Sequence, residues 1–112
     1  MDRCITCHLG IENLLMTDVP LPHRLHSGSF IEDHPIHKYG CTICHGGQGR
    51  ALDKKRAFGR DHDVYWPDPL LDQPYIQASC AKCHLVIFSE PILMEGTDIL
   101  LKGQQIFTRE GC

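Results

Sequence analysis

Cys41-Thr42-Ile43-Cys44-His45 is one of three stretches built to the same plan. The others are Cys4-Ile5-Thr6-Cys7-His8 and Cys80-Ala81-Lys82-Cys83-His84. Each sets two thiols three positions apart and a histidine directly after the second. That spacing is the attachment signature of c-type haem. Two thiols so placed face one porphyrin edge and add across its two vinyl groups, and the next residue falls beneath the iron. Three copies imply three covalent haems c. Their thioethers would come from Cys4, Cys7, Cys41, Cys44, Cys80 and Cys83, and their proximal imidazoles from His8, His45 and His84.

The chain of 112 residues holds seven cysteines and eight histidines. A pure disulfide scaffold leaves the histidine after every pair unexplained. A zinc site would draw four ligands from two pairs, which three pairs fit poorly. Apolar residues make up 42% and aromatic residues 7%, beside ten glycines and seven prolines. That is a thin core, and small domains of this kind need a staple; buried, covalently tied porphyrins would be one. The formal charge of −3, before any haem propionates, comes with no basic stripe and argues against nucleic acid as a partner. No apolar run approaches membrane-spanning length.

The motifs begin at residues 4, 41 and 80, but the sequences between them differ too much for a solenoid. Asp2 is expected to cap a short helix through the first motif, with Ile5, Leu9 and Ile11 at helical spacing. Val19-Pro20-Leu21-Pro22 ends it and opens a long loop. Gly46-Gly47-Gln48-Gly49 lets backbone pass close to a porphyrin or a turn; it lacks the Gly-Lys-Ser/Thr ending of a phosphate loop. Arg50, Lys54, Lys55, Arg56 and Arg60 read as a solvated basic face or as partners for propionates. Trp66-Pro67-Asp68-Pro69 is a further break. A short helix is expected over 78–88 and a longer one over 97–109, where Ile99, Leu100, Gly103, Ile106 and Phe107 follow helical spacing. Thr97 or Asp98 would cap the latter. The expected fold class is a small, mostly α and irregular multihaem domain over 1–112, with little or no sheet. Loops 17–40 and 46–78 would wrap three covalent haems.

Five histidines remain beyond the motifs: His23, His26, His34, His37 and His62. They suffice to give every iron a second imidazole. Met16 and Met94 are alternative distal ligands, although methionine more commonly fills core gaps. Two imidazoles on one iron favour electron transfer and block substrate binding.

Several segments together resemble a group of multihaem cytochromes c from bacterial respiratory chains. They are Leu25-His26-Ser27, His34-Pro35, Tyr39-Gly40 running into the second motif, Gly46-Gly47-Gln48-Gly49-Arg50-Ala51, His62, Trp66-Pro67-Asp68-Pro69-Leu70-Leu71 and the third motif. The resemblance covers most of residues 3–84 and is most specific around the second motif. It implies His26, His34 and His62 as distal ligands, with His23 and His37 as second choices. Ser27 stands where the group carries proline, which sets His23 in competition with His26. Asp61 and Asp63 flank His62 and could orient its ring. The segment from Gly103 to Cys112 is similar to the helix that leads into a haem motif in many cytochromes c. Cys112 is then expected to be the first thiol of a fourth site in a longer chain. A native start upstream of Met1 is expected as well, because covalent haem attachment in bacteria follows export.

The resemblance implies a periplasmic or otherwise extracytoplasmic electron carrier and not an enzyme. Its partners would be redox proteins, either a membrane quinol-oxidising complex or other cytochromes. The alternative is a haem-carrying part of a multihaem oxidoreductase acting on a small nitrogen or sulfur compound, which would need one open iron face. Repeating units of a haem filament are a third reading. No catalytic triad surrounds Ser27, Ser29, Ser79 or Ser89.

Overall fold

Prolines and glycines chop this chain into short helical pieces. The computed structural model describes residues 2–60, 66–89 and 94–111. His62, its neighbours Asp61 and Asp63, and Cys112 lie outside the described residues. Backbone contacts group the chain into two compact units, Met1–Leu70 and Leu71–Cys112.

Among its described residues the first unit carries a single 3-10 turn, Cys4–Thr6, and four α-helices of about one turn each. These are α1 (Phe30–Asp33), α2 (Ile36–Tyr39), α3 (Thr42–His45) and α4 (Lys54–Phe58). Pro35 separates α1 from α2, where its fixed φ of −54° starts the new helix. Gly40, at φ 72°, ends α2 directly before the second motif. Helix α4 emerges from the basic cluster, where no helix was expected. The Asp53 carboxylate accepts the Arg56 N–H at 2.9 Å, and Gly59 closes the other end in the left-handed conformation. The cations there are solvated: Arg56 pairs with Asp53 at 3.7 Å across an exposed surface, and the Lys54 ammonium lies 5.5 Å from the Phe58 ring centre.

Asp2 does not cap the first motif. Arg3 holds that position without a side-chain bond. The Asp2 carboxylate instead reaches α3, accepting the Cys41 and Thr42 N–H groups at 2.7 Å each and the Thr42 hydroxyl at 2.9 Å. Alongside, the Arg3 N–H donates to the Gly49 carbonyl at 2.7 Å. The first N–H groups of α3 have no partner within the helix, so a carboxylate from 39 residues away satisfies them. Gly49 makes room for it, because a Cβ there would collide with that carboxylate. Gly47, at φ 78°, passes equally close to the Ala57 carbonyl, 2.7 Å from where a Cβ would stand. The glycine-rich segment thus serves close approach of backbone to its own clamp. An isolated bridge between Gly46 and Leu70 is the only β pairing among the described residues.

Removing that clamp has a predictable cost. Loss of an N-terminal cap destabilises by about 1 kcal/mol, which is the expected penalty for Asp2→Ala. Partial burial alone would raise the Asp2 pKa, but the hydrogen bonds from Thr42 and Cys41 outweigh it and hold the carboxyl below its ordinary 3.8. The stabilisation is therefore complete above the unfolded value and fades as pH falls through the lower folded one. Acid titrations of wild type and Asp2→Ala followed by circular dichroism should differ above that range and converge below it.

The second unit packs two 3-10 segments, Gln73–Lys82 and Leu85–Phe88, with α5 (Asp98–Glu110). Helix α5 lies within one residue of the stretch its periodicity predicts. Thr97 occupies its N-cap, yet the hydroxyl donates to the Met94 carbonyl at 2.8 Å and leaves the helix uncapped by side chain. Gln77 supplies a partner instead: its side-chain oxygen accepts the Leu100 N–H at 2.9 Å. The Gln104 side-chain amide donates to the Phe88 carbonyl at 3.2 Å. Ile87 and Thr97, each 1% exposed, form the centre of this unit. Among the described residues Ile36 and Ile87 are the only buried apolar side chains, and no helix is long and apolar enough to cross a membrane.

Candidate functional site

All three Cys-x-x-Cys-His stretches close on the same pair of backbone hydrogen bonds, within 3-10 winding at the first and third and α-helical winding at the second. In each, the carbonyl of the first cysteine accepts the N–H of the second cysteine and the N–H of the histidine. The two distances are 3.1 and 2.9 Å at Cys4, 3.3 and 3.0 Å at Cys41, and 3.2 and 2.9 Å at Cys80. Winding of this kind places positions i, i+3 and i+4 on one face, so each turn gathers two sulfurs and one imidazole on one side. The six thiols are free of disulfides. Cys7 and Cys83 are exposed and the other four half-buried.

Cys4 and Cys41, the first thiols of two different motifs, share a side-chain hydrogen bond. It draws the Cys4 pKa down to about 7, while the same bond, with burial, drives Cys41 upward. Asp2, Cys4 and Cys41 offer ligand atoms within 4.8 Å of one another. A tetrahedral zinc site needs a fourth donor. Here the Asp2 oxygen already accepts three hydrogens from α3. The cluster is built as a clamp between two motifs.

Around the first motif, an open cleft of about 640 Å³ is lined by His8, by the apolar Ile5, Leu9, Ile11 and Leu14, and by the polar Glu12 and Asn13. Its volume falls within the ~300–1,000 Å³ of small-molecule and cofactor sites. His45, in α3, is half-buried. Burial first, and then charge on the nearby His26 and His8, lowers its pKa and favours the neutral imidazole that can ligate a metal. At the third motif, burial pushes the Cys80 thiol up. The Ser79 hydroxyl beside it is buried with no hydrogen-bond partner.

His26 is half-buried, and its ring centre lies 6.0 Å from that of His45. Its Nδ1 sits 2.7 Å from the Ser27 carbonyl. A carbonyl only accepts, so Nδ1 carries the hydrogen and Nε2 keeps a free lone pair. His34 places its Nδ1 3.0 Å from the Phe30 carbonyl, with its ring edge-on to Tyr39 at 5.5 Å. His23 and His37 are exposed, His37 on α2. Met16 and Met94 are half-buried. The structure thus brings His26 to His45 and leaves the two second-choice histidines at the surface.

The donor set would fit haem c: a repeated hydrogen-bond pattern with two thiols outside any disulfide and an imidazole, bordered by apolar side chains. Leu9 is 71% exposed and follows His8, and Leu85 is 73% exposed and follows His84. Ile43 within the second motif, and Val86 and Phe88 after the third, are exposed too. Exposed apolar groups clustered at a site mark a binding surface, and the orphan Ser79 hydroxyl is a polar group free to meet a carboxylate. Sequence reasoning missed Asp2 and Ser79 as members of the site. Comparison with protein-family models, with curated proteins and with solved structures finds no match for this chain.

Proposed function

We propose that the chain is an electron-transfer protein holding three covalent haems c, one on each Cys-x-x-Cys-His turn. The observation that carries this reading is the shared hydrogen-bond pattern at all three motifs, in which the first cysteine's carbonyl accepts from the second cysteine and from the histidine, with all six thiols outside any disulfide. Bound haem supplies one-electron exchange between ferric and ferrous iron. Everything else is the work of the chain. Cys4 and Cys7, Cys41 and Cys44, and Cys80 and Cys83 anchor the porphyrins. His8, His45 and His84 supply proximal nitrogens, and His26, His34 and His62 supply distal ones. The Cys4 and Cys41 sulfurs lie within 4.8 Å of one another, which would set the attachment points of two porphyrins side by side, an arrangement suited to hopping between neighbours. Closing each iron with a second imidazole excludes small substrates and lowers the potential relative to methionine ligation. The setting is extracytoplasmic, and the partners are other redox proteins of a respiratory chain, a membrane quinol-oxidising complex among them.

Haem content, mass and spin state of the purified protein test this directly. Three covalent haems per chain, all low-spin, are expected. Fewer attachments would reject the assignment of the motifs. Three attached haems with a large high-spin fraction, in native material, would mean an open iron and favour the oxidoreductase reading.

A further inference from the structure

Resting on that three-haem reading, we propose that His26 and His45 are the two axial ligands of a single iron, that of the second motif, with their imidazole planes crossed. Three observations lead there. The first is separation. Two metal–nitrogen bonds of about 2 Å, with roughly 1.1 Å from each nitrogen to its ring centre, set the centroids of an axial pair about 6 Å apart. The rings of His26 and His45 stand 6.0 Å apart, centre to centre. The second is protonation: the Ser27 carbonyl fixes the hydrogen of His26 on Nδ1 and leaves Nε2 as the donor atom.

The third is preorganisation. The Leu25 N–H donates to the Met16 carbonyl at 2.8 Å and the His26 N–H to the Ile11 carbonyl at 3.0 Å, which pins the backbone leading into the ligand. Phe30 meets the His26 ring edge-on at 6.3 Å. The competitors are placed otherwise. His34 lies against Tyr39 and the Phe30 carbonyl, and His23 and His37 are exposed. The resulting link spans 19 positions, from the loop before α1 to the histidine of α3. It closes the first unit through iron.

The crossing angle gives the pairing a signature that ligation alone does not have. The two ring planes are 84° apart. Crossed axial imidazoles leave the two iron dπ orbitals that face them nearly equal in energy. Low-spin ferric iron then shows one strongly shifted low-field resonance, whereas parallel rings give a three-line rhombic spectrum.

The experiment uses the haem-loaded full chain in two steps. Cys44→Ala marks the second haem, because a single thioether leaves one vinyl group intact and moves that haem's α band to longer wavelength. His26→Ala is then introduced into wild type and into the marked chain. We expect one third of the iron to turn high-spin, the low-field resonance to vanish, and the marked α-band component to be the one that changes. Added imidazole should restore the low-spin state and the marked α-band component. Loss confined to unmarked haems, or survival of the low-field resonance, overturns the pairing while leaving three-haem electron transfer standing. A wild-type chain without covalent haem removes the underlying reading itself. If His26→Ala does not fold, His26→Met decides. A new sulfur-to-iron charge-transfer band on the marked haem supports the pairing, and an unchanged marked haem overturns it.

Discussion

A chain denied its porphyrins is expected to lose cooperative folding altogether. With all six motif cysteines replaced by serine, circular dichroism should show a featureless melt where the haem-loaded protein gives a sharp one. The reason lies in what the polypeptide buries by itself. Among the described residues only Ile36 and Ile87 are buried apolar side chains, while Leu15 at 88% and Leu14 at 79% exposure stand in water. Full burial of one aliphatic side chain contributes about 1.5–3 kcal/mol, and two such groups cannot order a chain this rich in loops. Chains this small rely on cross-links, metals or cofactors to fold. Covalent porphyrins would cover Leu9, Leu85, Val86 and Phe88 beside their attachment turns and shorten the loops that must be closed. A cysteine-free chain that melted sharply near the temperature of the wild type would show that the polypeptide core suffices, and would take from haem its structural role.

The backbone turn at each motif could be read from spacing alone, because it is local. Cysteine, cysteine and histidine sit within five residues, and the turn that gathers them is the ordinary geometry of i, i+3 and i+4. Helix α5 was legible for the same reason, since its apolar period runs unbroken over three turns. Helix α4 carried its signal at its ends, Asp53 before it and Gly59 after it, and the intervening basic residues read more strongly as a charged face. What escaped was non-local. Asp2 reads as a local cap because it stands two residues before Cys4, and nothing in its neighbourhood announces bonds to Cys41 and Thr42. The same is true of Gln77 reaching α5 and of His26 meeting His45. Each is a side chain fixed by a fold that propensity does not encode, and the glycines that admit Asp2 and the Ala57 carbonyl could be named as sites of close approach but not matched to what approaches.

Removing the second pair of thiols should unravel one half of the chain and spare the other. Cys41→Ala combined with Cys44→Ala is expected to lower haem content by one third and to leave residues up to Leu70 open to protease. Helix α3 sits where the supports of that unit converge. Asp2 caps it, Gly46 at its end bridges to Leu70, and the His45 ring lies against His26. Without the porphyrin the proposed histidine pair would have no metal to share and the loop before α1 would lose its closure, so only hydrogen bonds of modest net strength would remain. Cleavage within 2–60 should accelerate by on the order of tenfold or more, the ratio that ~1.4 kcal/mol of lost opening free energy produces. Residues beyond Leu70 have their own supports in Ile87, Thr97 and the bonds from Gln77 and Gln104. They should keep their protection until Cys80→Ala and Cys83→Ala are made instead. Limited proteolysis with mass identification of the fragments reads both variants at once. Equal loss of protection on both sides of Leu70 in either variant would mean that the two units fold as one. Unchanged protection of 2–60 after loss of the second haem would mean that Asp2 and the glycine-lined turns hold that unit without iron.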